Sequence, residues 1–153
     1  MPARYVRYFA LVYGIVFLVV GIAGFVPGLV VSPEESPNLT IDTGFGRLFD
    51  LFAINVLHNL VHIVFGVWGL AAYRSLSNAR LYARSVAVIY AILAVMGLIP
   101  LLNTTFGLIP LYGHDVWLHV VLAAVAAYFG WAPVRTDELA TPATTAGRTR
   151  HNV

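Results

Sequence analysis

The sequence predicts an all-α protein: a four-helix transmembrane bundle, up-down-up-down, with both termini cytoplasmic. Three observations lead there. Of the 153 residues, 59% are hydrophobic and 10% charged, at a mean hydropathy of +0.81, whereas soluble domains carry about 25% charged residues. Four apolar runs, at 5–26, 50–73, 81–102 and 115–131, approach or exceed the ~20 helical residues that cross a hydrocarbon core. The nine cationic side chains are all arginine, and with four crossings eight of them fall on one side, leaving Arg47 opposite. By the positive-inside rule the side with eight is the cytoplasm.

The same composition excludes several classes. Cysteine is absent, which removes disulfides, thiolate-bound zinc and iron–sulfur clusters. The net charge of +2 comes from arginines scattered near the ends of apolar runs, so no basic groove is available to nucleic acid. The expected partner is the lipid bilayer, with a homo- or hetero-oligomer left open.

Taken in order, the first run follows Arg4 and Arg7. At about 20 residues it exceeds a secretory h-region and lacks an A-x-A cleavage site, so it is expected to be an uncleaved first transmembrane helix. Gly14, Gly21 and Gly24 recur near helical spacing, as close helix packing requires, and Pro27-Gly28 ends the run. A polar, acidic loop follows at 27–47, with room for a short helix or hairpin.

The second run, 50–73, is apolar but carries Asn55, His58, Asn59 and His62 in its interior, where hydrocarbon makes polar groups costly. At 100° per residue these four share a seam with Gly66 and Gly69, which should face other helices. A short turn at 74–80 leads to the third helix, with a cap expected at Ser77 or Asn78. One face of that helix carries Ala83, Ala87, Tyr90, Ala94 and Gly97, so Tyr90 can offer a hydroxyl near mid-membrane. Pro100 marks its outer end, and a half-apolar loop occupies 103–113. The fourth helix, 115–131, places Asp115, His119, Leu122, Ala126 and Gly130 on one face. Residues 1–132 thus form one membrane domain. The polar stretch 133–153, with His151, is expected to be a disordered cytoplasmic tail.

The second and fourth helices both start at the outer side. At 1.5 Å per residue His58 is expected roughly 10 Å deep, His62 roughly 16 Å and His119 roughly 5 Å. As diagonal partners about 14 Å apart, these helices would leave room for something held between them: a metal, a haem, a quinone head or water. A haem would take His58 and His119 as axial ligands, with Gly66, Gly69 and Gly97 admitting the flat ring. A divalent metal would use His58, His62, Asp115 and His119. Asn59 stands where a metalloprotease H-E-x-x-H helix needs glutamate. The bland alternative is an interhelical network that includes Asn55, Asn59 and Tyr90 and specifies packing, each bond contributing about 0.6–2 kcal/mol.

The patterns Asn55-x-x-His58-x-x-x-His62-x-x-x-Gly66-x-x-Gly69 and Asp115-x-x-Leu118-His119, with the 83–97 segment between them, resemble the bacterial four-helix membrane family labelled domain of unknown function 4383. The resemblance covers about residues 5–131. It implies a small multi-pass protein of the bacterial cytoplasmic (inner) membrane with no established activity. Asn55, His58, Gly66, Asp115 and His119 are similar to its pattern, while His62 and Asn59 are less typical of it. The architecture also resembles small four-helix membrane families of the DoxX type.

No nucleotide-binding loop, activated serine or complete metal motif is present in the sequence. The expected function is therefore non-enzymatic: an accessory or structural bundle with an interhelical His/Asn/Asp network. The alternative is a haem- or metal-binding redox or sensor protein with its site in the outer half.

Overall fold

The computed structural model describes residues 1–33 and 37–135. Among them are four helices, α1 (Ala3–Ala23), α2 (Val56–Ala72), α3 (Leu76–Leu98) and α4 (His114–Trp131), which make the protein mostly helical. By length and composition α1 and α3 can each cross a membrane, and α2 is a shorter apolar helix.

Glycine decides how α1 meets α2. A Cβ on Gly14 would lie 2.8 Å from the Leu70 backbone nitrogen, and one on Gly69 would lie 2.7 Å from the Gly14 Cα. The two backbones therefore touch, a contact open only to residues without side chains. Gly21 meets the backbone of Asn59, so the pair runs antiparallel. In α3 and α4, Gly130 faces Arg84 and Gly97 faces Leu111 and Val116, again antiparallel. Across the centre α1 and α3 approach through Phe9 with Tyr82 and Phe17 with Tyr90, whose ring centroids are 6.4 and 5.5 Å apart. The core nearest the chain termini is apolar and closely filled, with Val6, Ala10, Ala79, Tyr82, Ala83, Val86 and Ala126 fully buried.

The protein is not all-α. Three short strands, β1 (Val30–Val31), β2 (Gly46–Leu48) and β3 (Phe52–Ile54), form an antiparallel sheet in the order β1-β2-β3 at the end opposite the termini. The apolar run at 50–73 is consequently not one helix. Phe49 and Asp50 take left-handed backbone angles (φ 54 and 58°), the Leu51 N–H donates to the Leu48 carbonyl, and Arg47 ion-pairs with Asp50 inside the turn. The helix starts at Val56, where the Asn55 side chain accepts from the His58 N–H at 2.9 Å. That start lies six residues later than expected, so His58 and His62 sit about 9 Å nearer the helix start than the depths given above.

The other boundaries also move. Ser75, not Ser77 or Asn78, caps α3 by accepting from the Asn78 N–H at 3.2 Å. The helix stops at Leu98, after which turns fill 99–113. At the termini end, Arg7 donates to the Tyr73 carbonyl (2.8 Å), Arg80 to Ala132 (2.8 Å) and Arg84 to Gly130 (2.9 Å). Arginine thus meets the orphan carbonyls at the ends of α2 and α4, where the helix dipole favours positive charge. Residues 133–135 pair with the N-terminus: the Arg135 N–H donates to the Met1 carbonyl, and the Met1 amino group donates to Pro133 at 2.6 Å. They are not part of a free tail, and the rest of that stretch, with His151, lies outside the described residues.

Candidate functional site

The expected polar seam on α2 divides into three parts. Asn55, fully buried, ties the sheet end together. Besides capping α2, its amide donates to the carbonyls of Ile41 (2.8 Å) and Leu108 (2.7 Å), joining both loops to the helix start. Asn59, with Gly66 and Gly69, turns toward α1; a Cβ on Gly24 would overlap the Asn59 carboxamide. His58 and His62 point the other way, into the space between the helices.

His58 and His119 are held alike. The Nδ1 of His58 lies 3.1 Å from the Ala53 carbonyl, and the Nδ1 of His119 lies 2.6 Å from the Asp115 carbonyl. A carbonyl only accepts, so each Nδ1 carries the hydrogen and donates; in the neutral ring each Nε2 then keeps a bare lone pair. Both rings line a cavity of about 240 Å³ together with His62, Tyr90 and Asp115. The His58 ring stacks on His62 at 4.6 Å and the His119 ring on Tyr90 at 4.7 Å, while Phe17 touches both His62 and Tyr90. A smaller cavity of about 50 Å³, on the α2–α3 side, is lined by the same His58, His62, Tyr90 and His119. These four rings are thus a partition through the middle of the protein.

Asp115 closes the sheet side of the larger cavity. It is 2% exposed, its Oδ2 has no hydrogen-bond partner, and the Ala53 N–H faces its carboxylate. The Nδ1 of His62 is likewise buried without a partner.

Every one of these side chains lies within the stretch matched by one family's sequence model, residues 7–132. The chain belongs to DUF4383, a domain of unknown function. No curated protein and no solved structure matches it.

Among the described residues no group of three or more His, Cys, Asp or Glu side chains is placed to hold a metal ion. The glycines meant to admit a haem are filled from outside: Gly66 and Gly69 by the α1 backbone, Gly97 by Leu111 and Val116. The cavity also lies below the ~300–1,000 Å³ of pockets that hold drug-sized ligands, and a macrocycle is larger still.

Sequence reasoning missed the walls. Leu48, Phe49, Phe52 and Ile54 of the hairpin line the cavity, as do Val16, Phe17 and Val20 of α1. One signal was available for the hairpin: Asn55 is a preferred helix cap, which would have separated residues 46–54 from the helix.

Proposed function

We propose that this DUF4383 protein is a four-span, up-down-up-down protein of the bacterial cytoplasmic membrane, with both termini on the cytoplasmic face. In this reading it has no catalysis of its own and acts as an accessory protein that holds a small molecule in the chamber at its outer end. The topology is supported by the arginines: Arg4, Arg7, Arg74, Arg80, Arg84 and Arg135 all lie at the termini end, and Arg47 lies at the sheet end. It is supported too by the exposure of large apolar residues such as Val19, Val64, Val95 and Val120 around the helices, a surface suited to lipid.

The observation that carries the function is where the polar atoms of the site are engaged. Groups that glue helices together bond to each other across the interface. His58 and His119 instead bond to carbonyls only five and four residues away, and Asp115 and His62 each keep a buried atom without a partner. An apolar cavity with a few convergent polar groups has the composition of a binding site, and its size limits the occupant to a small group.

Two measurements test this. Reporter fusions at the Arg74–Ser75 turn should report a cytoplasmic location and fusions at residues 32–33 an external one; the reverse would overturn the topology. Mass spectrometry of small molecules extracted from the protein in native-lipid nanodiscs should find a species near one per chain that is lost from the His58→Phe/His119→Phe variant. Identical extracts from folded parent and variant would leave the cluster a packing device.

A further inference from the structure

The chamber's shape and hydrogen-bonding sense narrow what it takes. Resting on the reading of that chamber as a binding site, we infer that its ligand is a membrane-dissolved molecule with a hydroxylated aromatic head, a phenol or hydroquinone on an apolar tail. The ligand enters sideways between α1 and α4.

The route follows from the walls. Val16, Phe17 and Val20 of α1 stand on one side and Leu118, His119 and Leu122 of α4 on the other, with the turn at Phe49 above. Val16 is 45% exposed and Phe49 55% exposed, so the rim lies open at the flank of the protein. Toward the termini the slot is bounded by Tyr13, which donates to the Leu122 carbonyl at 3.3 Å, and beyond it a separate open groove of about 550 Å³ runs between the same helices over the stacked Phe9 and Phe129. The opening is thus an apolar slot facing the surface that lipid covers, with the polar atoms behind it. A strongly polar solute would have to shed water to pass such a rim, whereas an apolar tail left in the slot continues the bilayer.

The head follows from the inner wall. Both Nδ1–H donors are committed to Ala53 and Asp115, so the two Nε2 atoms can only accept. A ligand that brings only carbonyl oxygens sets lone pair against lone pair, whereas a hydroxyl brings the missing hydrogen. Asp115 also lines this cavity, although its unpartnered Oδ2 is itself buried behind the wall. At about 240 Å³ the space suits one ring, and Phe17, Phe52, Tyr90 and the imidazoles supply aromatic faces for it.

The test compares 4-decylphenol with its methyl ether, 4-decylanisole, and with tailless phenol. Each is titrated into the full chain in nanodiscs while the imidazole ¹⁵N resonances are followed, with circular dichroism confirming that every variant is folded. The phenol is expected to bind at least about 10-fold tighter than the ether, the size of effect a hydrogen bond to a buried, otherwise unmet acceptor produces. It should shift the Nε2 resonance of His58 or His119. Val16→Trp and, independently, Leu118→Trp, which plug the slot without touching the imidazoles, should weaken binding at least about 10-fold. Equal binding of phenol and ether would overturn the requirement for a donor. Binding of tailless phenol but not decylphenol, unaffected by either tryptophan, would overturn lateral entry while the chamber itself stands. If no probe binds the folded protein, this inference and the binding-site reading both fall.

Discussion

At the end that holds the chain termini, Arg7, Arg80 and Arg84 reach back to the carbonyls of Tyr73, Ala132 and Gly130, and the core between them is alanine, valine and stacked aromatic rings. At the sheet end the same helices, α2 and α4, carry buried His58, Asp115 and His119 beside a cavity, and several of their polar atoms are not committed to the protein. The two ends use polar residues for different purposes. One spends cationic groups on helix termini; the other uses one nitrogen of each imidazole to fix the ring, and the second makes no bond within the protein.

The comparison can be broken in four places, each read as a shift in thermal or denaturant unfolding in detergent. The largest effect is expected at Gly66→Leu, which drives a side chain into the Gly14 backbone and into Leu18; it should cost about 3 kcal/mol and yield little folded protein. Asn55→Ala comes next, at about 2 kcal/mol, because a helix cap is lost and two carbonyls lose their donor. Asn55→Asp should keep the cap but restore neither donation, since an oxygen would then face those carbonyls. Arg84→Met should cost about 1 kcal/mol, the contribution of one charge-assisted cap. Smallest is Tyr82→Phe, within about 0.5 kcal/mol, because that buried hydroxyl has no partner to lose. If Arg84→Met proved as damaging as Asn55→Ala, the three bonds of Asn55 would be worth no more than one arginine cap.

Much of the fold was legible because apolar run length and small-residue spacing are strong signals in a chain of this composition. Gly14, Gly66 and Gly69 were read as packing residues, and they place α1 on α2. Asp115 and His119 were read onto one face of α4, and they share a cavity with His58. The hairpin at 46–54 left only the cap residue Asn55 as a sign, for a physical reason: a short buried strand and the first turns of a buried helix are equally apolar, so hydropathy cannot separate them. Its turn is built on Phe49 and Asp50 in left-handed conformations; Asp50 is a common turn residue, but Phe49 before it is not, so the pair does not read as a hairpin turn. That error put His58 too deep and made Asn55 a seam residue, although it is the cap. The division of the seam, with Asn59 toward α1 and the histidines toward the cavity, depends on which neighbour each side of α2 meets, and one helix's periodicity does not carry that information.

The central claim is that His58 and His119 are neutral rings protonated at Nδ1, with Nε2 left to accept. The direct measurement is ¹⁵N NMR of histidine-labelled protein in nanodiscs at neutral pH, with the two residues assigned from the signals lost in His58→Phe and His119→Phe. The account predicts, for both, a protonated Nδ1 beside an unprotonated Nε2. Signals from Nε2–H rings, or from imidazolium with both nitrogens protonated, would contradict it.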